Sequence, residues 1–226
     1  IGGIMDLSWV KNDDRISSAL LGWQGGMEGG LAMAELLTGK GNPSGKLADT
    51  FAADVNDYPS TANFHESFDY VNYTEDIYVG YRYFETLPGA QKKVIYPFGY
   101  GLTYSDTYVK EAKVTNEVSK DSDIRLKVTV KNAGIIDTDD VIQIYIKDLD
   151  SPLAVRNYSL CAFKRVSLKA GEEKTVELTV SNKAMNVVDE EGNRYIAGER
   201  FKLFAGVSQP DARSTELTGH QPMEVE

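Results

Sequence analysis

The run Ile124-Arg-Leu-Lys-Val-Thr-Val130 alternates apolar and polar residues over seven positions, the period of a strand with one face buried and one wet. Val141-Ile-Gln-Ile-Tyr-Ile146, Thr175-Val-Glu-Leu-Thr-Val180 and Phe201-Lys-Leu-Phe-Ala205 repeat the pattern, roughly in the first case. Asn132-Ala-Gly134 and Asp137-Thr-Asp-Asp140 read as turns, as do Ala170-Gly171 and Ala197-Gly198 ahead of the later strands. Short strands at this spacing, over roughly 115 residues with no helical stretch, predict an immunoglobulin-like or fibronectin III-like β-sandwich over 107–226. The Cys…Trp…Cys pattern of antibody domains is missing, so the disulfide-free variety is expected.

The beginning of the chain reads differently. Ala19-Leu-Leu-Gly-Trp23 is an apolar run fit for a buried strand, followed by the glycine-rich turn Gln24-Gly-Gly-Met-Glu-Gly-Gly30. Leu31-Ala-Met-Ala-Glu-Leu-Leu37 has its apolar residues at helical spacing, with Gly39 placed to close a helix in the left-handed conformation. Asn42-Pro-Ser-Gly45 is turn chemistry. Residues 1–50 are therefore expected to be an α/β segment, a partial open sheet with helices. Residues 51–106 show little periodicity and many aromatics, from Phe51 and Tyr58 to Tyr100 and Tyr104. Such a hydrophobic stretch is no disordered linker. It is expected to pack across its neighbours as a connector, its rings joining the two ends of the chain.

Composition narrows the function. The 24 basic residues against 34 acidic leave a net charge of −10. Neither nucleic acid nor an anionic membrane surface is an expected partner, since both need clustered Lys and Arg. No apolar stretch approaches the ~20 residues of a membrane-spanning helix. The single cysteine, Cys161, lies in the apolar run Leu160-Cys-Ala-Phe163, which reads as strand rather than nucleophile. With His65 and His220 the only histidines, zinc sites and Ser-His-Asp triads are poorly supplied, and neither a metal site nor a cofactor is expected. No signal peptide is visible, which tilts the expected location toward a bacterial cytoplasm. The start without an initiator Met, inside an apolar run, is what a fragment would show.

The turn before the helix invites a phosphate-binding reading, but its glycines do not give G-x-G-x-x-G and no G-K-[ST] follows. The bland reading is that they let a tight turn pack closely. Carboxylates precede the sandwich at Asp6, Glu28, Asp49, Asp54, Glu75 and Asp76. Glycosidic hydrolysis needs two at a set separation, whereas single ones usually cap or form turns. Glu28 stands out because the turn would expose it at a strand's carboxyl end, where α/β folds place ligands. The aromatic connector would also suit sugar stacking, although glue between domains is the plainer role. The sequon-like Asn72-Tyr-Thr74 and Asn157-Tyr-Ser159 are short patterns that need a secretory route.

The order of these pieces resembles the C-terminal part of glycoside hydrolase family 3 β-glucosidases. The resemblance rests on Trp23-Gln-Gly-Gly-Met-Glu-Gly-Gly30, Ala34-Glu-Leu-Leu-Thr-Gly39 and Asn42-Pro-Ser-Gly-Lys-Leu47. It continues in Tyr73-Thr-Glu-Asp-Ile-Tyr-Val-Gly-Tyr-Arg-Tyr-Phe84, Tyr96-Pro-Phe-Gly-Tyr-Gly-Leu-Thr-Tyr104, Val128-Thr-Val-Lys-Asn-Ala-Gly134, Val141-Ile-Gln-Ile-Tyr145, Leu160-Cys-Ala-Phe-Lys-Arg-Val166 and Gly171-Glu172. It implies the end of an α/β sandwich domain followed by a fibronectin type III-like domain. It also implies a retaining hydrolysis of β-glucosides or oligosaccharides, with an Asp nucleophile on a separate barrel and a Glu acid/base from an earlier α/β part. Neither motif is present here, so no catalytic residue is assigned, and the chain alone is expected to be inactive. The barrel and upstream α/β segment become its expected partners, whether the barrel precedes or follows. Trp23, Gln24 and Glu28 are the candidates for a place beside the sugar pocket. The alternative is a freestanding carbohydrate-binding or adhesion module built on the sandwich.

Overall fold

The computed structural model describes residues 1–225. Two helices open the chain, α1 (Ser8–Asn12) and α2 (Gly29–Leu37). Strands β1 (Phe51–Ala52) and β2 (Val94–Tyr96) flank α3 (Tyr81–Thr86). Then come β3 (Thr107–Val114), β4 (Ile124–Asn132), β5 (Thr138–Asp148), β6 (Ser159–Leu168) and β7 (Glu173–Val180). The short β8 (Val187–Val188) and β9 (Arg194–Tyr195) precede β10 (Phe201–Gly206), α4 (Ala212–Thr218) and β11 (Met223–Glu224).

The predicted sandwich is present. One sheet has the order β3-β4-β7 and the other β11-β10-β5-β6, every pairing antiparallel. The alternation of β4 does what its period requires: Ile124, Leu126, Val128 and Val130 are buried, while Arg125 and Lys127 face water. These side chains meet Ile142, Ile144 and Ile146 of β5, with Val166, Leu178, Val180, Leu203 and Ala205, in one core. Burying each Ile, Leu or Val is worth about 1.5–3 kcal/mol, so the two sheets hold together without a disulfide.

Two local expectations for this half are corrected. Thr138–Asp140, read as turn, begins β5. Its buried polar side chains find internal partners, which lets them sit inside a sheet: Asp140 accepts from Thr107 Oγ1 and from Val141 N, the latter at 2.7 Å. The stretch expected to lack a helix contains α4. Asp211 caps it, its Oδ1 accepting from Ser214 N at 2.8 Å, and Gly219 closes it at φ 74°.

In the first half, α2 forms as predicted, two residues longer at its start, and Gly39 adopts φ 73° just past its end. The strand expected at Ala19–Trp23 is absent. These residues are exposed or half-buried, and among the described residues no strand pairs with them. A buried strand depends on neighbours for its ladder and on layers for its faces. An apolar run lacking both does not become one.

A small second core lies between the two halves: Ala52, Phe84, Ala90 and Val94, backed by Tyr58, Tyr83 and Leu87. Residues 42–47 dock on both the connector and the sandwich. Leu47 N donates to Tyr100 O and Gly99 N to Leu47 O, both at 2.8 Å, while Asn42 Nδ2 donates to Asp137 O at 3.1 Å.

Candidate functional site

Trp23, Gln24 and Glu28 all lie on the glycine turn and face solvent. Trp23 has φ 46°, rare for a bulky residue, and its ring sits 6.2 Å from that of buried Phe51, tilted by 58°. Gln24 lies over the backbone of Gly2, where an added Cβ would come within 2.7 Å of Gln24 Nε2. Glu28 occupies the N-cap position of α2, yet its side chain makes no capping bond. The glycines serve close packing: a Cβ on Gly25 would lie 2.9 Å from Gly29 Cα. The three candidates share a turn, but no side-chain hydrogen bond links them to one another. Two open depressions, of about 380 and 420 Å³, lie elsewhere: one between β10 and α4, the other around Lys120, Asn182 and Tyr195.

Among the other early carboxylates, two take plain local roles. The side chain and N–H of Ser8 hold the exposed Asp6 carboxyl below its ordinary range. Asp54 Oδ1 accepts from Asn56 N at 2.8 Å and so caps a turn. Cys161 is also unreactive by position. It lies in β6, its thiol donates to Ile144 O at 3.2 Å, and burial pushes its pKa up to about 12.

The connector divides into two parts. Its second part packs on the sandwich. Tyr81 stacks on Phe98 (4.5 Å, 17°) and meets Tyr145 edge-on, and its hydroxyl accepts from Leu160 N at 2.8 Å. Tyr104 Oη reaches back to Leu36 O at 2.9 Å, tying α2 to the connector. Its first part does not pack in this way: Phe64, Phe68, Tyr70 and Tyr73 are exposed, with Val71 and Val79 beside them. Met27, Leu31 and Leu37 of the turn and α2 are exposed as well.

Sequence reasoning passed over Glu85. It follows Phe84 on α3, and burial raises its pKa to about 7, with the charge of Asp211 adding to the rise. Its hydrogen bonds to Tyr158 and Gln209 oppose the shift. The only hint in the sequence was a carboxylate set inside the aromatic run Tyr81-Arg-Tyr-Phe-Glu85. Both its oxygens accept bonds from the protein, so it is part of the joint between connector and sandwich rather than a group presented to a sugar.

Residues 1–104 match the family described as the glycosyl hydrolase family 3 C-terminal domain, and residues 140–209 match the fibronectin type III-like domain. The chain belongs to glycosyl hydrolase family 3. Among curated family 3 relatives, the Beta-glucosidase A of Butyrivibrio fibrisolvens is 45% identical over 96% of this chain and 28% of its own length. The Thermostable beta-glucosidase B of Acetivibrio thermocellus is 38% identical over 93% of this chain and 27% of its own. A solved beta-glucosidase from Paenibacillus barengoltzii superposes with a TM-score of 0.84 at 35% identity, covering 98% of this chain and 24% of that one. This family 3 chain therefore spans under a third of the length of the relatives it matches. Among the described residues, no helix is long and apolar enough to cross a membrane, and no cluster of three or more His, Cys, Asp or Glu is arranged to hold a metal ion.

Proposed function

We propose that this chain is the closing part of a retaining β-glucosidase, which hydrolyses O-glycosyl bonds with a nucleophile Asp and an acid/base Glu that lie outside these residues. The observation that carries the reading is the 45% identity to a beta-glucosidase across nearly the whole chain, which takes in both matched domains. Chemistry agrees with it: double displacement needs two carboxyl groups about 5–5.5 Å apart facing one sugar. Here the early carboxylates are scattered on exposed or half-exposed stretches, and the half-buried Glu85 has both oxygens bonded within the protein. In this reading residues 1–50 end an α/β domain, 51–106 form the connector and 107–226 the fibronectin-like domain. Trp23, Gln24 and Glu28 lie at the edge of the sugar pocket of the longer protein.

The test compares this 226-residue chain with the longer protein that contains it, on an aryl-β-glucoside. Turnover by the longer protein and none by the chain supports the proposal; turnover by the chain alone overturns it. In the longer protein, Trp23→Ala should raise KM more than it lowers kcat, and unchanged kinetics would remove Trp23 from the pocket.

A freestanding carbohydrate-binding sandwich is the rival reading. A binding module displays its aromatics on the sandwich, whereas here the exposed rings concentrate between Phe64 and Tyr73. Glycan binding by the isolated chain, abolished by Phe163→Ala on the exposed face of β6, would favour that rival.

A further inference from the structure

Residues 16–39 carry two charged side chains, Glu28 and Glu35, in a chain that is 26% charged. Glu35 is taken up by Lys40 at 2.5 Å. Most of the remainder is apolar or glycine, yet α2 contains no buried residue. One side of the helix packs on its own chain. An added Cβ on Gly22 would collide with Met33 Cε, Leu36 lies against Gly41, and Leu36 O accepts from Tyr104 Oη. The other side carries Leu31, Ala34 and Leu37, three residues apart and so neighbours on one stripe. Leu31 is 59% exposed and Leu37 70%, and Met27 in the turn before them is wholly exposed. A helix that is apolar on every side belongs in the interior of a larger protein.

The run ahead of the turn is in the same condition. Ala19, Leu20, Gly22 and Trp23 are exposed and Leu21 is half-buried. Among the described residues, no backbone hydrogen bond joins residues 17–25 to any other part of the chain. Their free N–H and C=O groups, beside apolar side chains, are the kind of edge that accepts a strand. The outer strands of the sandwich differ: β6 exposes Lys164 and Arg165, and β7 exposes Glu173 and Glu177, charges that discourage pairing. The Butyrivibrio relative matches 96% of this chain with only 28% of its own length, and the Paenibacillus structure matches 98% with 24%. Most of such a protein therefore lies outside these residues.

We propose that the remainder of the longer protein seats on residues 19–37, pairing a strand with the free backbone of Ala19–Trp23 and covering Met27, Leu31 and Leu37 with apolar side chains. The inference rests on the reading that this chain is the closing part of such a protein. The order apolar run, turn, helix is that of a unit in an open sheet, where the run needs a ladder and the helix lies over one face. A segment of the same polypeptide is held near the seat at high effective concentration. A second copy of this chain is the poorer occupant, because each copy carries a net charge of −10 and repels the other.

The test is amide hydrogen exchange, read by mass spectrometry on the 226-residue chain and on the longer protein that contains it. Peptides covering 17–25 should exchange as an unprotected segment in the first and about a hundredfold more slowly in the second. Equal exchange in the two overturns the proposal. Leu37→Cys gives a side-chain reading, since burial pushes the Cys161 thiol up to about 12 and leaves it slow to react. Maleimide labelling at position 37 should be about tenfold slower in the longer protein. The same slowing at Val118→Cys, exposed between β3 and β4, would show general shielding and overturn the seat. Protection of 17–25 in the chain alone that rises with its concentration would give the face to a second copy, and overturns the proposal too. Neither reading uses turnover. A longer protein protected at 17–25 but inactive on glucosides supports the seat and removes the glycosidase reading; an active one without protection does the reverse.

Discussion

Lys46 and Asp140 form an ion pair at 2.8 Å, Nζ to Oδ1, with only 10% and 2% of their side chains exposed. Lys46 Nζ also donates to Gly101 O at 2.6 Å, and Asp140 takes Thr107 Oγ1 and Val141 N as further donors. With the Asn42 Nδ2 bond to Asp137 O, this pair fastens the glycine-turn end of the chain to the sandwich. A buried pair is a weak source of net stability, but breaking one leaves a charge with no partner. Lys46→Met should therefore cost about 3–5 kcal/mol in urea unfolding. The double variant Lys46→Met with Asp140→Leu should lose clearly less than the two single costs added. Additive costs would mean that the residues do not act as a pair.

Gly101 and Gly45 meet at the same joint and give a sharper contrast. A Cβ on Gly101 would lie 2.2 Å from Gly45 O, a backbone atom with no rotamer to yield, whereas a Cβ on Gly45 would meet nothing within 4 Å. Gly101→Ala should destabilise by about 1–3 kcal/mol, the usual cost of overpacking, with Gly45→Ala close to neutral. Equal effects in thermal melts would show that the approach is looser than described.

Phe84 is wholly buried, with Tyr58 and Tyr83 edge-on to its ring at 5.4 and 5.2 Å. Phe84→Ala should cost about 3–5 kcal/mol by lost transfer energy and the cavity left behind. It should also flatten the near-UV circular dichroism of the tyrosines around it. A loss under about 1 kcal/mol would mean that the small core contributes little to the joint.

Cys161 should resist alkylation in the folded chain. With its pKa near 12 rather than the ordinary 9, its thiolate fraction at pH 8 is lower by about 10³. Iodoacetamide should label it at a measurable rate only in denaturant, and rapid native labelling followed by mass spectrometry would contradict its burial.

The sandwich was largely legible because its signal is local. The alternation Ile124–Val130 needs only itself to declare which face is wet, and Gly39 and the helical spacing before it are equally self-contained. What the sequence withheld depends on remote partners. Ala19–Trp23 carries a strand's composition without a ladder to join. Thr138–Asp140 looks like a turn until Lys46 and Thr107 reach its carboxylate. Glu85 was unremarked because nothing near it in sequence shows that Tyr158 and Gln209 converge on it. Of the candidate site, the turn was legible, but a pocket is a property of surfaces brought together, and Trp23, Gln24 and Glu28 enclose nothing by themselves.

The two-stranded pairing of Phe51 with Tyr96 and Ala52 with Val94 pins both ends of a long excursion. Once its ends are fixed, doubling the length of a flexible loop adds only about 0.6 kcal/mol to the entropy of closing it. The span from Phe64 to Val79, mostly exposed, is thus the stretch where this scaffold can lengthen, shorten or change sequence most cheaply. The sheets on either side need not be rebuilt, so novelty in relatives of this chain has a natural place to accumulate.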